Sequence, residues 1–399
     1  MKHYQYLIIG GGMTADAAVH GIREVDFEGS IGLIGSETDA PYNRPPLTKA
    51  LWKGEPLESV WRHTETEKLD LHLGRTVQAI NPNHKTVTDD QQNTYTYEKL
   101  LLATGGTVRT LPFGHDEIIY FRTLKDYQRL RELTEKAQKF AVIGGGFIGS
   151  EIAAALALNR KDVMMIFPGS GICNRVFPAD LSKFVTDFYR QKGVELFTGE
   201  SVSNMERRGA QFVLKTKSNR EIVVDGVIAG IGITPNLDLA RVAGLSVENG
   251  IIVDEFLRTN NPDIYAAGDG AAYFNPALAK RMRVEHEDNA NTMGRLAGRN
   301  MAGKSEAYHH LPSFYSDLFE LGYEAVGELD SRLETFVDWK EPNKEGVIYY
   351  LKDNRVRGVL LWNVWGQVDA ARALIAEPGP FTTANLKGRL PAKTSDAKT

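Results

Sequence analysis

The chain has 399 residues, 42% hydrophobic and 25% charged, which is too long for one ordinary core and asks for two or three globular domains. A formal net charge of −4 gives no support to a surface that coats nucleic acid, which needs clustered positive charge. No apolar run reaches bilayer-spanning length and no room precedes the first strand for a signal or transit peptide, while the one cysteine, Cys173, excludes an internal disulfide and fits a reducing, cytoplasmic setting.

In chain order, residues 4–9 form a short apolar strand that runs straight into glycines. Residues 15–22 read as a helix and 30–36 as a second strand that stops at Glu37, completing a strand, glycine turn, helix, strand unit. The pattern restarts with a strand at 140–143, a helix at 151–158 and a strand at 163–167, an internal repeat. Residues 201–224 alternate in short strand-like pieces, and 261–269 is a turn, a buried short strand and an abrupt stop. Beyond about residue 311 strands dominate again, at 346–351 and 359–362, and a helix after Gly366 closes the region. Residues 386–399 are polar, contain Pro391 and read as a flexible tail.

The first glycine motif is Gly10-Gly11-Gly12-Met13-Thr14-Ala15. Gly10 permits the tight turn, Gly12 lets backbone come up to a pyrophosphate, and Ala15 lets the helix sit close on its strand. The helix N-terminus offers N–H groups and its positive dipole end to the phosphates. A glycine triplet alone is an ordinary turn. This one has the strand before it, the helix after it and an acid, Glu37, closing the second strand, where it can accept from both hydroxyls of an adenosine ribose. The second motif, Gly144-Gly145-Gly146-Phe147-Ile148-Gly149, has the same context. Its second strand ends in Phe167-Pro168-Gly169-Ser170 with no acid, and Arg175 follows, which leaves NADH and NADPH both open.

Two dinucleotide sites in one chain have a chemical reason to coexist: hydride passes from a nicotinamide to a flavin, with the cofactors supplying the reactivity and the protein the alignment. Three further segments fit. Residues 101–106 run through Thr104 to the pair Gly105-Gly106, where backbone can cross near a ligand, and 227–236, with Gly232, repeats that role in the second half. Asp269 stands at a strand end, where a ribityl hydroxyl could donate to it, although for Asp269 alone a turn or capping role is the simpler reading.

The chain resembles the apoptosis-inducing factor family, within the wider group of FAD/NAD(P)H oxidoreductases that includes oxygenase-type ferredoxin reductases. The segments that carry the resemblance are Pro41-Tyr42-Asn43-Arg44-Pro45-Pro46-Leu47-Thr48-Lys49, the two glycine motifs, Ala267-Gly268-Asp269 and Phe314-Tyr315-Ser316-Asp317-Leu318. Val284-Glu285-His286-Glu287-Asp288, followed by Gly294-Arg295-Leu296-Ala297-Gly298, and the C-terminal strands favour the apoptosis-inducing factor branch. The resemblance implies an α/β fold with two Rossmann-like, glutathione-reductase-like domains and an α+β C-terminal domain. A discontinuous FAD domain is expected at 1–121 and 250–310, an NAD(P) domain at 122–249 and the C-terminal domain at 311–385. It further implies that Arg44, Lys49, Arg122, Asp269 and His286 contact FAD, with Lys49 near flavin N5. Phe147, Glu285, Gly232 and Glu324 match positions that line the nicotinamide coenzyme, Glu151 matches an acid paired with the lysine, and Tyr315 stands where the family usually has Trp.

The residues support the lysine–acid pair independently. Glu151 precedes Ile152-Ala153-Ala154-Ala155-Leu156-Ala157-Leu158, apolar nearly all round, and a buried carboxylate needs a partner or a proton. Lys49 is a suitable partner, and the pair would set positive charge where flavin reduction adds negative charge. The competing reading makes Glu151 a helix-start cap. His286 lies among Glu285, Glu287 and Asp288, but adjacent residues rarely point the same way and no second His sits at ligand spacing, so no metal is expected. Trp52, Trp61, Trp362 and Trp365 read as core or interface residues.

The segment after the first repeat has no cysteine, so a thiol relay is not expected and electrons must leave the flavin directly for an iron–sulfur protein, a quinone or oxygen. The leading expectation is a FAD-dependent NAD(P)H oxidoreductase with FAD and NADH, or NADPH, as cofactors. The rivals are a ferredoxin or rubredoxin reductase, and a redox-sensing module with slow turnover that forms a homodimer on reduction.

Overall fold

The computed structural model describes residues 1–390, which divide into two compact units. The first comprises Met1–Asn43, Glu58–Thr107 and Thr234–Ser313. Its main sheet sets Asp70–Leu73, Ile31–Gly35, Lys2–Ile9 and Thr94–Leu102 side by side in parallel, and Thr86–Asp89 and Val77–Asn81 extend it antiparallel. Ile264–Ala266 adds a further parallel strand to Thr94–Leu102. A parallel strand is covered on both faces, so its sequence is apolar almost without alternation. Leu7, Ile8, Leu33, Leu100, Leu101 and Ile264 are accordingly all fully buried. The register places Ile9 beside Leu102 and Leu102 beside Ala266, so three strands end level with one another. Helices Met13–Arg23 and Glu287–Met301 pack together, with Gly294 and Gly298 lying against the backbone of Thr14 and Ala18 where any Cβ would collide.

The second unit comprises Arg44–Leu57, Val108–Ile233 and the described chain from Phe314 on. Its parallel sheet runs Glu195–Thr198, Asp162–Phe167, Lys139–Ile143, Gly226–Ala229, Ile118–Tyr120. A three-stranded antiparallel sheet of Val202–Arg208, Gln211–Thr216 and Glu221–Val224 accompanies it. The region expected as a separate domain at 311–385 is an antiparallel sheet, Ser313–Leu318, Leu321–Gly327, Arg355–Trp362, Glu345–Lys352, Glu334–Glu341, with helix Val368–Ala376. It clusters into the same compact unit as most of 122–249. Phe177 joins the two parts: its ring meets those of Tyr323 and Trp362 at 5.4 and 5.6 Å.

Two expectations need adjusting. The second repeat's helix begins at Phe147 with Gly146 as N-cap, four residues before the expected start, because the last positions of the glycine motif are themselves the first helical turn. Residues 386–390 are not loose: Leu386 ends the short helix Thr383–Leu386, and both it and Leu390 are buried, while 391–399 lie outside the described residues. Trp52 and Trp362 are core residues, and Trp365 is 43% exposed. No helix among the described residues is long and apolar enough to cross a membrane.

Candidate functional site

In the first unit the level strand ends bring the first motif, Thr104, Gly105 and Asp269 to one edge of one sheet. Gly10 adopts φ +127° against the Ala103 carbonyl, a backbone state that favours glycine. Gly12 is the N-cap of Met13–Arg23, and no atom lies within 4 Å of where its Cβ would stand. The helix start therefore has room in front of Gly12, which is what an approaching pyrophosphate needs. Ala15 is fully buried beneath. Glu37 follows Ile31–Gly35 and accepts a 2.5 Å hydrogen bond from the Tyr42 hydroxyl.

Thr104 and Gly105 are tied to Asn236: the Thr104 hydroxyl donates to the Asn236 carbonyl at 3.0 Å, the Asn236 amide returns a bond to Thr104 O at 2.9 Å, and Asn236 N–H donates to Gly105 O at 3.0 Å. Asp269 sits in the turn Gly268–Gly270 after Ile264–Ala266, and its carbonyl accepts from Arg283 at 3.0 Å. Arg283 also pairs with Glu285 at 2.6 Å, so Glu285, expected along the nicotinamide coenzyme, belongs to the unit that carries the first motif. His286 is the N-cap of Glu287–Met301, and burial pushes its imidazole down to about 4 although Asp269 and Asp288 pull the other way. The ring is neutral at neutral pH.

The second unit repeats the cradle. Gly144 takes φ +123° against Gly230 O, Gly149 packs on Gly144 O, and Gly146 caps Phe147–Leu158 with no atom within 4 Å of its Cβ position. Gly232, at φ +93°, is equally open in front. The Phe147 ring meets Phe314 at 5.4 Å, and Ile148 is 39% exposed at the helix start. Glu324 accepts from Gly366 N–H at 3.0 Å, and burial raises its carboxyl above the ordinary range. Both glycine cradles thus fit a dinucleotide.

The same unit holds the lysine–acid pair. Lys49 Nζ lies 2.8 Å from Glu151 Oε1, with side chains 11% and 4% exposed. Glu151 stands in the second turn of its helix, beyond the reach of a capping role. Two hydroxyls complete its shell: Thr48 donates to Oε2 at 2.5 Å and Ser316 to Oε1 at 2.6 Å. Neither was visible in the sequence, because they join Glu151 from 103 and 165 residues away. Lys49 Nζ is also 5.3 Å from the centre of the Tyr315 ring, within cation–π reach. Arg44 donates to the Arg122 carbonyl at 3.0 Å, and Arg122 N–H to Asp126 at 3.1 Å. Cys173 is buried, and burial pushes its thiol up to about 12, so it is no thiolate at neutral pH. Among the described residues no group of three or more His, Cys, Asp or Glu could hold a metal ion.

Two parallel sheets in one chain, each ending in a glycine turn at a helix N-terminus, define an oxidoreductase that uses two dinucleotides. The family described as pyridine nucleotide-disulphide oxidoreductase matches residues 4–294, and the C-terminal region of mitochondrion-associated apoptosis-inducing factor matches 297–345 and 337–377. Apoptosis-inducing factor 1, mitochondrial, of Dictyostelium discoideum is 33% identical over 94% of this chain and 79% of its own length. Putidaredoxin reductase of Pseudomonas putida is 31% identical over 96% of this chain and 94% of its own. A crystal structure of the covalent putidaredoxin reductase–putidaredoxin complex superposes with a TM-score of 0.89 at 30% identity, covering 97% of this chain and 96% of that one. The chain belongs to the pyridine nucleotide-disulphide oxidoreductase family. It is a FAD-dependent NAD(P)H oxidoreductase that passes electrons to an external acceptor without a redox disulfide.

Proposed function

We propose that the external acceptor is a small iron–sulfur protein of the ferredoxin kind, reduced at the expense of NADH. The observation that carries this reading is the full-length structural likeness to a reductase captured with its putidaredoxin partner. When bound, FAD takes up hydride and gives electrons out singly. The chain's residues bind and orient. Gly10, Gly12, Ala15, Glu37, Thr104, Gly105 and Asp269 hold FAD, with Arg44, Arg122 and His286 contributing. Gly144, Gly146, Phe147, Ile148, Gly149, Gly232 and Glu324 hold the nicotinamide coenzyme. Glu151 holds the Lys49 ammonium in place, and that ammonium offsets the negative charge a flavin gains on reduction. A reducing, cytoplasmic setting belongs to the same reading and rests on the lone cysteine.

The test mixes the purified holoenzyme with NADH and a [2Fe–2S] ferredoxin, with cytochrome c as final electron sink, and compares the rate with those on oxygen and on a soluble quinone. A ferredoxin-dependent rate at least tenfold above either supports the proposal, and equal rates overturn it.

A second reading is favoured by the C-terminal match to apoptosis-inducing factor. In it the protein responds to NADH, turns over slowly and forms a homodimer on reduction. Size-exclusion chromatography with and without NADH separates the two: a shift to dimer alongside slow reoxidation supports the second, and a monomer under both conditions removes it.

A further inference from the structure

We propose that position 174 controls the choice between NADH and NADPH, and that Asn174 leaves it open because an uncharged amide stands where an acid would otherwise read the adenosine ribose. The inference rests on the second glycine motif being the nicotinamide coenzyme's site. In this fold the ribose lies at the end of the second strand, here just past Asp162–Phe167. The position after the strand's Pro168 is Gly169, and the place for a side chain there is taken. A Cβ on Gly169 would stand 2.5 Å from Asn174 Oδ1, 3.0 Å from its Cγ and 3.2 Å from its Nδ2. The amide of Asn174 therefore occupies the space an acid at 169 would fill.

The loop is held to present it. Ser182 Oγ donates to Ile172 O at 2.7 Å and Ile172 N–H to Thr186 Oγ1 at 2.9 Å, which pins the segment to helix Ala179–Gln191. Cys173, at φ +51°, donates its N–H to the carbonyl of Gly145, the middle glycine of the phosphate turn, at 2.8 Å. Val176 and Phe177 both return N–H bonds to Cys173 O, at 2.8 and 2.9 Å. Asn174 is thus fixed from both sides against the glycine loop, half-buried, and its own amide makes no hydrogen bond among the described residues. The nearby acid Glu200 donates its N–H to Phe167 O, but its carboxylate is engaged by Ser201 N–H and the Ser218 hydroxyl.

An uncharged amide suits both coenzymes. Nδ2 donates equally to a 2′-hydroxyl oxygen and to a 2′-phosphate, and Oδ1 accepts from the hydroxyl. Charge repulsion, the means by which an acid rejects the phosphate, is missing, and exposed Arg175 next in sequence adds attraction. Selectivity is then controlled at 174 rather than at 169.

The experiment measures binding, so it needs no electron acceptor. The oxidised holoenzyme is titrated calorimetrically with AMP and with adenosine 2′,5′-bisphosphate, in the parent, Asn174→Asp and Asn174→Ser, with melting temperatures recorded as the folding control. Asn174→Asp should widen the ratio of the two dissociation constants in favour of AMP at least tenfold, which is about 1.4 kcal/mol. Asn174→Ser, which adds no charge, should leave that ratio within about threefold of the parent's. A ratio unmoved by Asn174→Asp while both probes still bind the parent overturns the role of Asn174 alone. Failure of both probes to bind the parent overturns it together with the assignment of the second motif. Should Asn174→Asp not fold, Asn174→Lys takes its place: the added positive charge should shift the ratio at least tenfold toward adenosine 2′,5′-bisphosphate, and a ratio within about threefold of the parent's refutes the proposal.

Discussion

Removing the carboxylate of Glu151 tests the most demanding piece of the site. The pair is 2.8 Å apart with both side chains nearly closed off from solvent, and two hydroxyls spend their hydrogens on the same carboxylate. In Glu151→Ala the Lys49 ammonium stays behind without its counter-charge, and breaking a buried pair in this way costs about 3–5 kcal/mol. Thr48 and Ser316 lose an acceptor at the same time, but these losses overlap and do not add in full. For a unit of this size about 3–5 kcal/mol corresponds to a fall in melting temperature of roughly 10 °C. Flavin reduction by NADH, followed by stopped-flow at the flavin absorbance, should slow about tenfold, or about 1.4 kcal/mol in the barrier.

A double variant, Lys49→Met with Glu151→Met, separates the two effects. With both charges gone, much of the melting temperature should return, because apolar replacement of a buried pair is often neutral or better. Reduction should remain slow, because the positive charge is missing. A Glu151→Ala protein that melts within about 1 °C of the parent and is reduced at the parental rate would refute the reasoning. So would a double variant that recovers rate along with stability.

Acid precipitation of the purified yellow protein should release FAD to the supernatant. Flavin retained in the pellet would mean a covalent link, and FMN in its place would contradict the Gly10 and Glu37 reading. His286 makes stability depend on pH with a definite sign. Its pKa falls from the ordinary 6.5 to about 4 in the folded chain. The unfolded chain therefore takes up a proton first, and stability present above about 6.5 is lost as pH drops toward 4, about 3 kcal/mol over the whole window. Denaturant titrations at pH 7 and pH 5 should show the loss and His286→Gln should flatten it; identical slopes would show that His286 is not buried neutral. Gly169→Glu should weaken flavin reduction by NADPH more than by NADH, but only by driving the Asn174 amide out of the space the new side chain needs. The effect should therefore be smaller than that of Asn174→Asp, in stopped-flow runs with each coenzyme. An equal slowing with both coenzymes would place the ribose elsewhere.

The glycine turns were readable because everything that defines them is local: an apolar strand, a triplet with one left-handed residue, a helix. Asp269 is readable as a strand-end acid, but its place at the same end of the sheet as Gly10 is not, since that follows from two strands far apart in sequence pairing with Thr94–Leu102 from either side. The Lys49–Glu151 pair was inferred from the need of a carboxylate on an apolar helix for a partner, yet Thr48 and Ser316 left no trace, because a buried serine or threonine looks like any other in sequence. The start of that helix is hidden because Gly149 and Ser150 look like turn residues while they complete its first turn. Asn174 escaped for a different reason: its meaning lies in a loop folded back by one hydrogen bond to Gly145, and no periodicity marks a loop.

The stretch from Cys173 to Phe177 also fixes what the C-terminal sheet can be. At one end it bonds the carbonyl of Gly145; at the other Ser331 N–H bonds Arg175 O at 3.0 Å, the Tyr350 hydroxyl bonds Val176 O at 2.8 Å, and the Phe177 ring meets the stacked rings of Tyr323 and Trp362. The C-terminal sheet is therefore no detachable accessory. A shortened protein ending before residue 314 would bare a phenylalanine and two unanswered carbonyls directly behind its coenzyme loop. Any descendant that lost or exchanged the sheet would have to rewrite residues 173–177 in the same step.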